Sequence, residues 1–257
     1  MADAGRIIGV ARRIADAKNG GRNVVAVVSA MGDSTDELIR LAHTVSSSPD
    51  ARELDLLLST GELVSSTLLT MALKTLGYDA ISLSGPQAGI RTDTMYGRAR
   101  IDSIDTSRVQ KELKAGHIVV VAGFQGITDN QDITTLGRGG SDTTAVALAA
   151  ALGAERCEIY TDVDGIYDAD PRLVPTARKL DEVGFEEMLE LSSYGAKMNP
   201  RSIELGLFYD VPILVASSFS DATGTLIHRG ADMNPKVGEI RNKVRGIATQ
   251  TDVATVT

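Results

Sequence analysis

At 257 residues, 43% of them hydrophobic and 23% charged, the chain is long enough to bury one large core and has an ordinary globular composition. Aromatics are only 4% with no Trp, and the formal net charge is -8, so neither nucleic acid nor an anionic membrane surface is an expected partner. The N-terminus intersperses Arg6, Arg12, Arg13 and Lys18 with apolar residues, unlike a signal-peptide core, and no stretch reads as a membrane span. A single Cys157 excludes an internal disulfide, and the chain reads as cytoplasmic.

In chain order, Ile7, Val10, Ala11 and Ile14 share one helical face, and Val24 to Val28 reads as a strand. A second helical stripe is expected through Leu54, Leu57, Leu58, Gly61 and Leu68. Gly89 to Ile104 is polar and turn-rich around Tyr96-Gly97-Arg98 and reads as a hairpin excursion. Strands follow at Ile118 to Ala122, Cys157 to Thr161 and Pro212 to Ala216, with an amphipathic helix from Phe185 to Leu191. These runs read as continuous rather than alternating, which suits parallel strands buried on both faces. Strands alternating with helices predict an α/β fold with a mainly parallel sheet covered on both sides. Residues 1–230 read as one domain, followed by a polar stretch with Pro235 and Gly238 and then a strand-like end, together residues 231–257.

The densest chemistry lies at Thr134 to Thr144, where Gly137, Gly139 and Gly140 flank Arg138 and run into an alanine-rich helical segment. Glycines admit close backbone approach, and Ser141, Asp142 and Thr143 suit the start of a helix. A helix beginning there directs its unpaired N–H groups and positive end at the loop, and Arg138 adds a planar cation, so the stretch reads as an anion site. An ordinary strand-to-helix turn would use the same glycines. Ser29 to Thr35 follows the strand at Val24 and occupies a strand's carboxyl end, where open α/β sheets bind ligands, although Ser34 or Thr35 could merely cap the next helix. Glu62 follows Gly61 inside a helical pattern, where glycine is costly unless something approaches closely. Neither a dinucleotide fingerprint nor a P-loop is present. The Asp-rich run after Thr161 lacks the spacing of an EF-hand, and Asp164-Gly165 and Asp170-Pro171 also suit plain turns. His43, His117 and His228 fall in no motif, and Cys157 reads as core.

Five stretches in this order, "VVSAMGDSTDELI", "LLSTGE", "TTLGRGGSDTTAVALAAALGA", "CEIYTDVDGIYDADPR" and "FEEMLELSSYGAK", resemble aspartate kinases of the amino-acid kinase superfamily over almost the whole chain. The resemblance implies a three-layer αβα sandwich and ATP-dependent phosphorylation of L-aspartate to 4-phospho-L-aspartate, the entry to lysine, threonine and methionine synthesis. It implies substrate contacts from Ser29, Thr35, Glu62, Arg138, Gly139, Gly140, Ser141 and Asp142, with Glu62 on the ammonium and Arg138 on a carboxylate. Thr161, Asp162, Tyr167, Arg172, Lys197 and Met198 would serve the nucleotide, Arg138 and Lys197 being catalytic. Mg2+ would bridge the phosphates with no dedicated protein metal cluster, and a homodimer is implied. Another kinase of the superfamily, acting on glutamate, acetylglutamate or a nucleotide, remains open, as does a non-catalytic nucleotide-binding remnant.

Three departures qualify the resemblance. The chain opens at Met1-Ala2-Asp3-Ala4, past the family's first strand with its Lys-Phe-Gly-Gly motif. The "GAKMNPRS" stretch is one residue short and lacks a histidine, and one residue rotates a helix by about 100°. The end falls within what resembles the opening of a regulatory ACT region. Little kinase activity and no response to lysine or threonine are the resulting expectations.

Overall fold

The computed structural model describes residues 3–193 and 198–230. Lys197 and the stretch from 231 to 257 lie outside the described residues. The chain forms two units, Met1–Leu152 and Gly153–Thr257.

The first unit begins with α1 (Ala4–Asn19), whose N-cap Asp3 accepts the Arg6 N–H at 2.9 Å. Then follow β1 (Val25–Val28), α2 (Ser34–Val45) and α3 (Ala51–Thr75). After them come β2 (Ala80–Leu83), β3 (Ile90–Thr92), β4 (Ile101–Ile104) and α4 (Ser107–Lys114). The unit closes with β5 (Ile118–Ala122), β6 (Gln125–Ile127), β7 (Ile133–Thr135) and α5 (Gly140–Leu152).

Its main sheet has the order β1-β5-β2, parallel throughout, with β5 buried along its whole length. Because side chains alternate across a strand, Ile118 and Val120 pack with Ile7 and Ala11 of α1 and Leu69 and Leu73 of α3. Val119 and Val121 enter a second core with Val109 of α4 and Leu148 of α5. Helices thus cover both faces, as the continuously apolar pattern requires. A second sheet, β4-β3-β6-β7, contains the expected hairpin, with Ile90 opposite Ile104.

Helix α3 differs from expectation in two respects. Leu68 is exposed, and the buried stripe consists of Asp55, Leu58, Ser59, Gly61, Glu62, Ser65, Ser66, Leu69, Thr70 and Leu73. The outer face instead carries Leu56, Leu63, Val64, Leu68 and Met71. Its 25 residues are also long and apolar enough to cross a membrane by length and composition, which corrects the reading that no segment is. Half of the helix's apolar window is buried, and that buried face holds Asp55, bonded to Thr135, and the Ser65 and Thr70 hydroxyls, bonded to the helix backbone. Helix α3 is therefore a core helix of this unit.

The second unit comprises β8 (Cys157–Thr161), β9 (Glu182–Gly184), α6 (Phe185–Ser193), α7 (Pro200–Tyr209), β10 (Ile213–Ser217) and β11 (Thr225–His228). Its sheet order is β8-β10-β11-β9, with β8 and β10 parallel and β10 and β11 antiparallel. Phe185, Met188, Ile203, Ile213 and Ile227 form fully buried core, and Cys157 is buried as expected. Asn199 caps α7 by accepting the Arg201 N–H at 2.9 Å, with Pro200 in the first turn, where its missing N–H costs nothing.

Candidate active site

In the first unit, Ser29, Glu62 and Ser141 of the expected substrate residues lie beside the carboxyl ends of β1 and β5. Glu62 is only 3% exposed, and its Oε1 accepts the Ala30 N–H at 2.9 Å, two residues past β1. Its Oε2 is buried with no hydrogen-bond partner among the described residues. Burial pushes the Glu62 carboxyl up to about 7, although the bond from Ala30 pulls the other way. Gly61 explains itself here: a Cβ on it would lie 2.9 Å from the Ala30 Cβ, so the helix can approach this loop only as glycine.

The glycine loop reaches the same strand ends. Gly137 and Gly139 adopt φ of 78° and 72°, the left-handed region that other residues avoid. The helix starts at Gly140, one residue before the expected cap, so Ser141 and Asp142 occupy its first turn. A Cβ on Gly123, just past β5, would lie 2.9 Å from both the Ser141 Oγ and the Val27 Cγ1 of β1. Thr144 fixes the start of α5 by donating to the Gly140 carbonyl at 2.9 Å while accepting the Phe124 N–H at 3.1 Å. Arg138 is exposed on this loop, and burial raises the Asp142 carboxyl above its ordinary value. Ser29 is exposed after β1, and Thr35 is the second residue of α2. Ser34 donates to the Met31 carbonyl at 2.5 Å, while Asp33, at the cap position, makes no capping hydrogen bond.

The sequence reading passed over Asp55. It lies on the buried stripe of α3, two turns before Glu62, and is 1% exposed. Both its oxygens accept the Gly97 N–H, at 3.0 and 2.9 Å, and they also accept the Thr135 hydroxyl and N–H, at 2.7 and 2.8 Å. A signal was available: Asp55 and Glu62 are the only charges between Leu54 and Leu73, and their spacing of seven puts them on one face.

In the second unit the expected nucleotide residues follow β8. Thr161 ends that strand and donates to the Asp162 carboxylate at 3.1 Å. The Tyr167 hydroxyl donates to Asp164 at 3.0 Å, and this bond raises the phenol's pKa. Arg172, its side chain 83% exposed, pairs with Asp170 at 2.7 Å. Met198 is buried just before α7. No group of three or more His, Cys, Asp or Glu residues among the described residues could hold a metal ion.

Parallel strands sandwiched by helices, with a glycine loop opening a helix at the strand ends, define a known class. Residues 1–206 match the model of the Amino acid kinase family, and the chain belongs to that family. Its fold class is accordingly the three-layer αβα sandwich with a mainly parallel central sheet. The chain is 53% identical over 253 residues to an aspartokinase of Geobacillus stearothermophilus, covering 98% of this chain and 61% of that protein. Among solved structures it is similar to aspartate kinase from Synechocystis, with a TM-score of 0.79 and 50% identity over 89% of this chain and 38% of that one. It also resembles E. coli aspartokinase III in complex with aspartate and ADP, with a TM-score of 0.69 and 35% identity over 76% of this chain and 45% of that one. The chain thus spans about three-fifths of the length of the curated relative it matches.

Proposed function

We propose that the chain carries the kinase part of an aspartate kinase, transferring the γ-phosphoryl group of ATP to the side-chain carboxylate of L-aspartate. The observation that carries this reading is the buried Glu62 carboxylate with one partnerless oxygen, in the same unit as Arg138 on its glycine loop. A buried carboxylate at rest is costly, and an ammonium would relieve that cost. Arg138 offers the matching recognition of a carboxylate. Acetylglutamate carries no ammonium, so Glu62 argues against that alternative, and the relative solved with aspartate and ADP supports aspartate.

The chemistry suits these residues. An aspartate carboxylate has an ordinary pKa of about 3.9, so it is already ionised and no general base is needed. One of its oxygens forms a bond to the γ-phosphorus as the bond from phosphorus to the β,γ-bridging oxygen breaks, and the electron pair leaves with ADP. The chain's task is to align the carboxylate and offset crowded negative charge, through Arg138, the N-terminus of α5, Arg172 and Lys197. Mg2+ would enter on the nucleotide phosphates and neutralise part of their charge. Thr161, Asp162, Tyr167 and Met198 would hold the nucleotide. The product would feed lysine, threonine and methionine synthesis in the cytoplasm.

A substrate panel of aspartate, glutamate, acetylglutamate and UMP in an ADP-release assay tests the assignment, with aspartate binding measured by calorimetry. Arg138→Ala and Glu62→Ala should each weaken aspartate binding about 10- to 100-fold, the cost of one charge-assisted contact, and leave Mg-ATP binding nearly unchanged. Unchanged aspartate binding in both variants refutes the assignment. ATP binding with no aspartate-dependent ADP release would favour a non-catalytic nucleotide-binding role. The resemblance implies a homodimer, and the apolar side chains exposed along α3, Leu56, Leu63, Val64, Leu68 and Met71, support it. Val64→Glu should lower the mass measured by light scattering.

A further inference from the structure

We propose that Asp55 is a positioning residue for substrate recognition, holding the Arg138 loop in its binding form; this rests on the aspartate reading above. The Asp55 carboxylate is buried and engaged by three protein groups, the Gly97 N–H, the Thr135 N–H and the Thr135 hydroxyl. Those groups lie on two different segments. Thr135 ends β7, three residues before Arg138, and Gly97 is the turn of the excursion between β3 and β4.

The two segments also touch each other at the loop. Ala99 donates its N–H to the Thr135 carbonyl at 2.8 Å, and the Gly97 carbonyl oxygen lies 3.0 Å from where a Cβ on Gly137 would stand. Beyond Thr135, the Leu136 N–H donates to the Phe124 carbonyl at 2.8 Å and the Gly140 N–H to the Gly137 carbonyl at 2.9 Å. The backbone on both sides of Arg138 is therefore pinned, and Asp55 makes the pin at its upstream end. Two left-handed glycines in five residues make the segment intrinsically free, so its conformation depends on such outside ties. Asp132, the residue just before β7, ties the same excursion differently, its side chain accepting from Arg52 at 2.8 Å and Tyr96 at 3.2 Å while Thr135 is held by Asp55. It serves as the control.

The experiment compares Asp55→Ala, Asp55→Asn, Thr135→Val and Asp132→Asn in the 257-residue chain, measuring L-aspartate and Mg-ATP binding by calorimetry and amide exchange across Leu136–Gly140. Asp55→Ala should weaken aspartate binding about 10- to 100-fold, as a displaced positioning group does, with Mg-ATP binding within about twofold of the parent. Asp55→Asn should recover most of the loss, since its amide oxygen can accept both N–H groups while its NH2 donates to the Thr135 oxygen. Thr135→Val keeps the N–H tie and should fall between them, which preserves the test if Asp55→Ala does not fold. Asp132→Asn should bind aspartate like the parent. Equal loss of aspartate and nucleotide binding across the Asp55 and Thr135 variants, or parent-like aspartate binding in them, overturns the proposal. Should the parent bind no aspartate, the substrate reading fails and exchange decides: faster exchange at Leu136–Gly140 in Asp55→Ala, but not in Asp132→Asn, upholds the tie, and unchanged exchange overturns it.

Discussion

Under the aspartate reading, Glu62 would be a residue that trades stability for recognition. Burial raises its folded-state pKa to about 7, above the ordinary carboxylate value, so the folded state favours the protonated form. The associated stability is fully present below the unfolded pKa of about 4.3 and is lost as pH rises through about 7. Glu62→Gln keeps an acceptor for the Ala30 N–H and carries no charge, so it should stabilise the chain at pH 8 by on the order of 3 kcal/mol and have little effect at pH 4. Urea denaturation at the two pH values checks this, and a destabilised variant at pH 8 would contradict it. An ammonium ligand needs the ionised form, so aspartate binding should weaken about tenfold from pH 8 to pH 6 in the parent. Calorimetry across that range gives the answer, and a flat profile would count against Glu62 as the ammonium's partner. Sequence context raised Glu62 to notice, but its environment was illegible there, because burial depends on what α3 packs against.

Among the elements, α3 is where pattern reading and structure part. Apolar periodicity placed Leu68 inside, whereas the helix turns Asp55, Ser59, Glu62, Ser65, Ser66 and Thr70 inward and leaves five large apolar side chains outside. Hydroxyls satisfy themselves on the helix backbone, as Thr70 does on the Ser66 carbonyl at 2.8 Å, so a polar stripe can be buried cheaply. Hydrophobicity alone cannot detect such an arrangement. Close packing of this helix against the Ala30 loop makes Gly61→Ala informative. Alanine gains about 1 kcal/mol in helix propensity, but the overpacking costs about 1–3 kcal/mol, so a net loss of about 1 kcal/mol is expected. Gly9 in α1 has nothing within 4 Å of a built Cβ, and Gly9→Ala should instead stabilise by about 0.5–1 kcal/mol. Denaturant midpoints of the two variants should move in opposite directions, and parallel shifts would refute the packing argument.

At the scale of the whole molecule, the candidate substrate residues belong to the first unit and the candidate nucleotide residues to the second. Variants should sort the same way. Asp162→Ala and Tyr167→Phe should weaken Mg-ATP binding several-fold and leave aspartate binding unaltered, because each removes a polar group beside the end of β8 without disturbing the core. Thermal shifts with Mg-ATP test this, and equal stabilisation of variants and parent by nucleotide would sink the nucleotide assignment. The exposed pair between Arg172 and Asp170 should add little to stability, being screened by solvent.

The local order of residues carried the strands at Ile118 and Cys157, the hairpin excursion, the glycine loop and the family motifs. These depend on near neighbours: runs of β-branched side chains, turn residues, and glycines where φ must be positive. Packing between distant segments decided the rest. It turned α3 polar side inward, lifted the Glu62 carboxyl, and joined Asp55 to Thr135 across 80 residues of chain. Burial, desolvation and long-range hydrogen bonds are properties of what surrounds a residue, and for Asp55 those surroundings come from segments that meet only once the chain has folded.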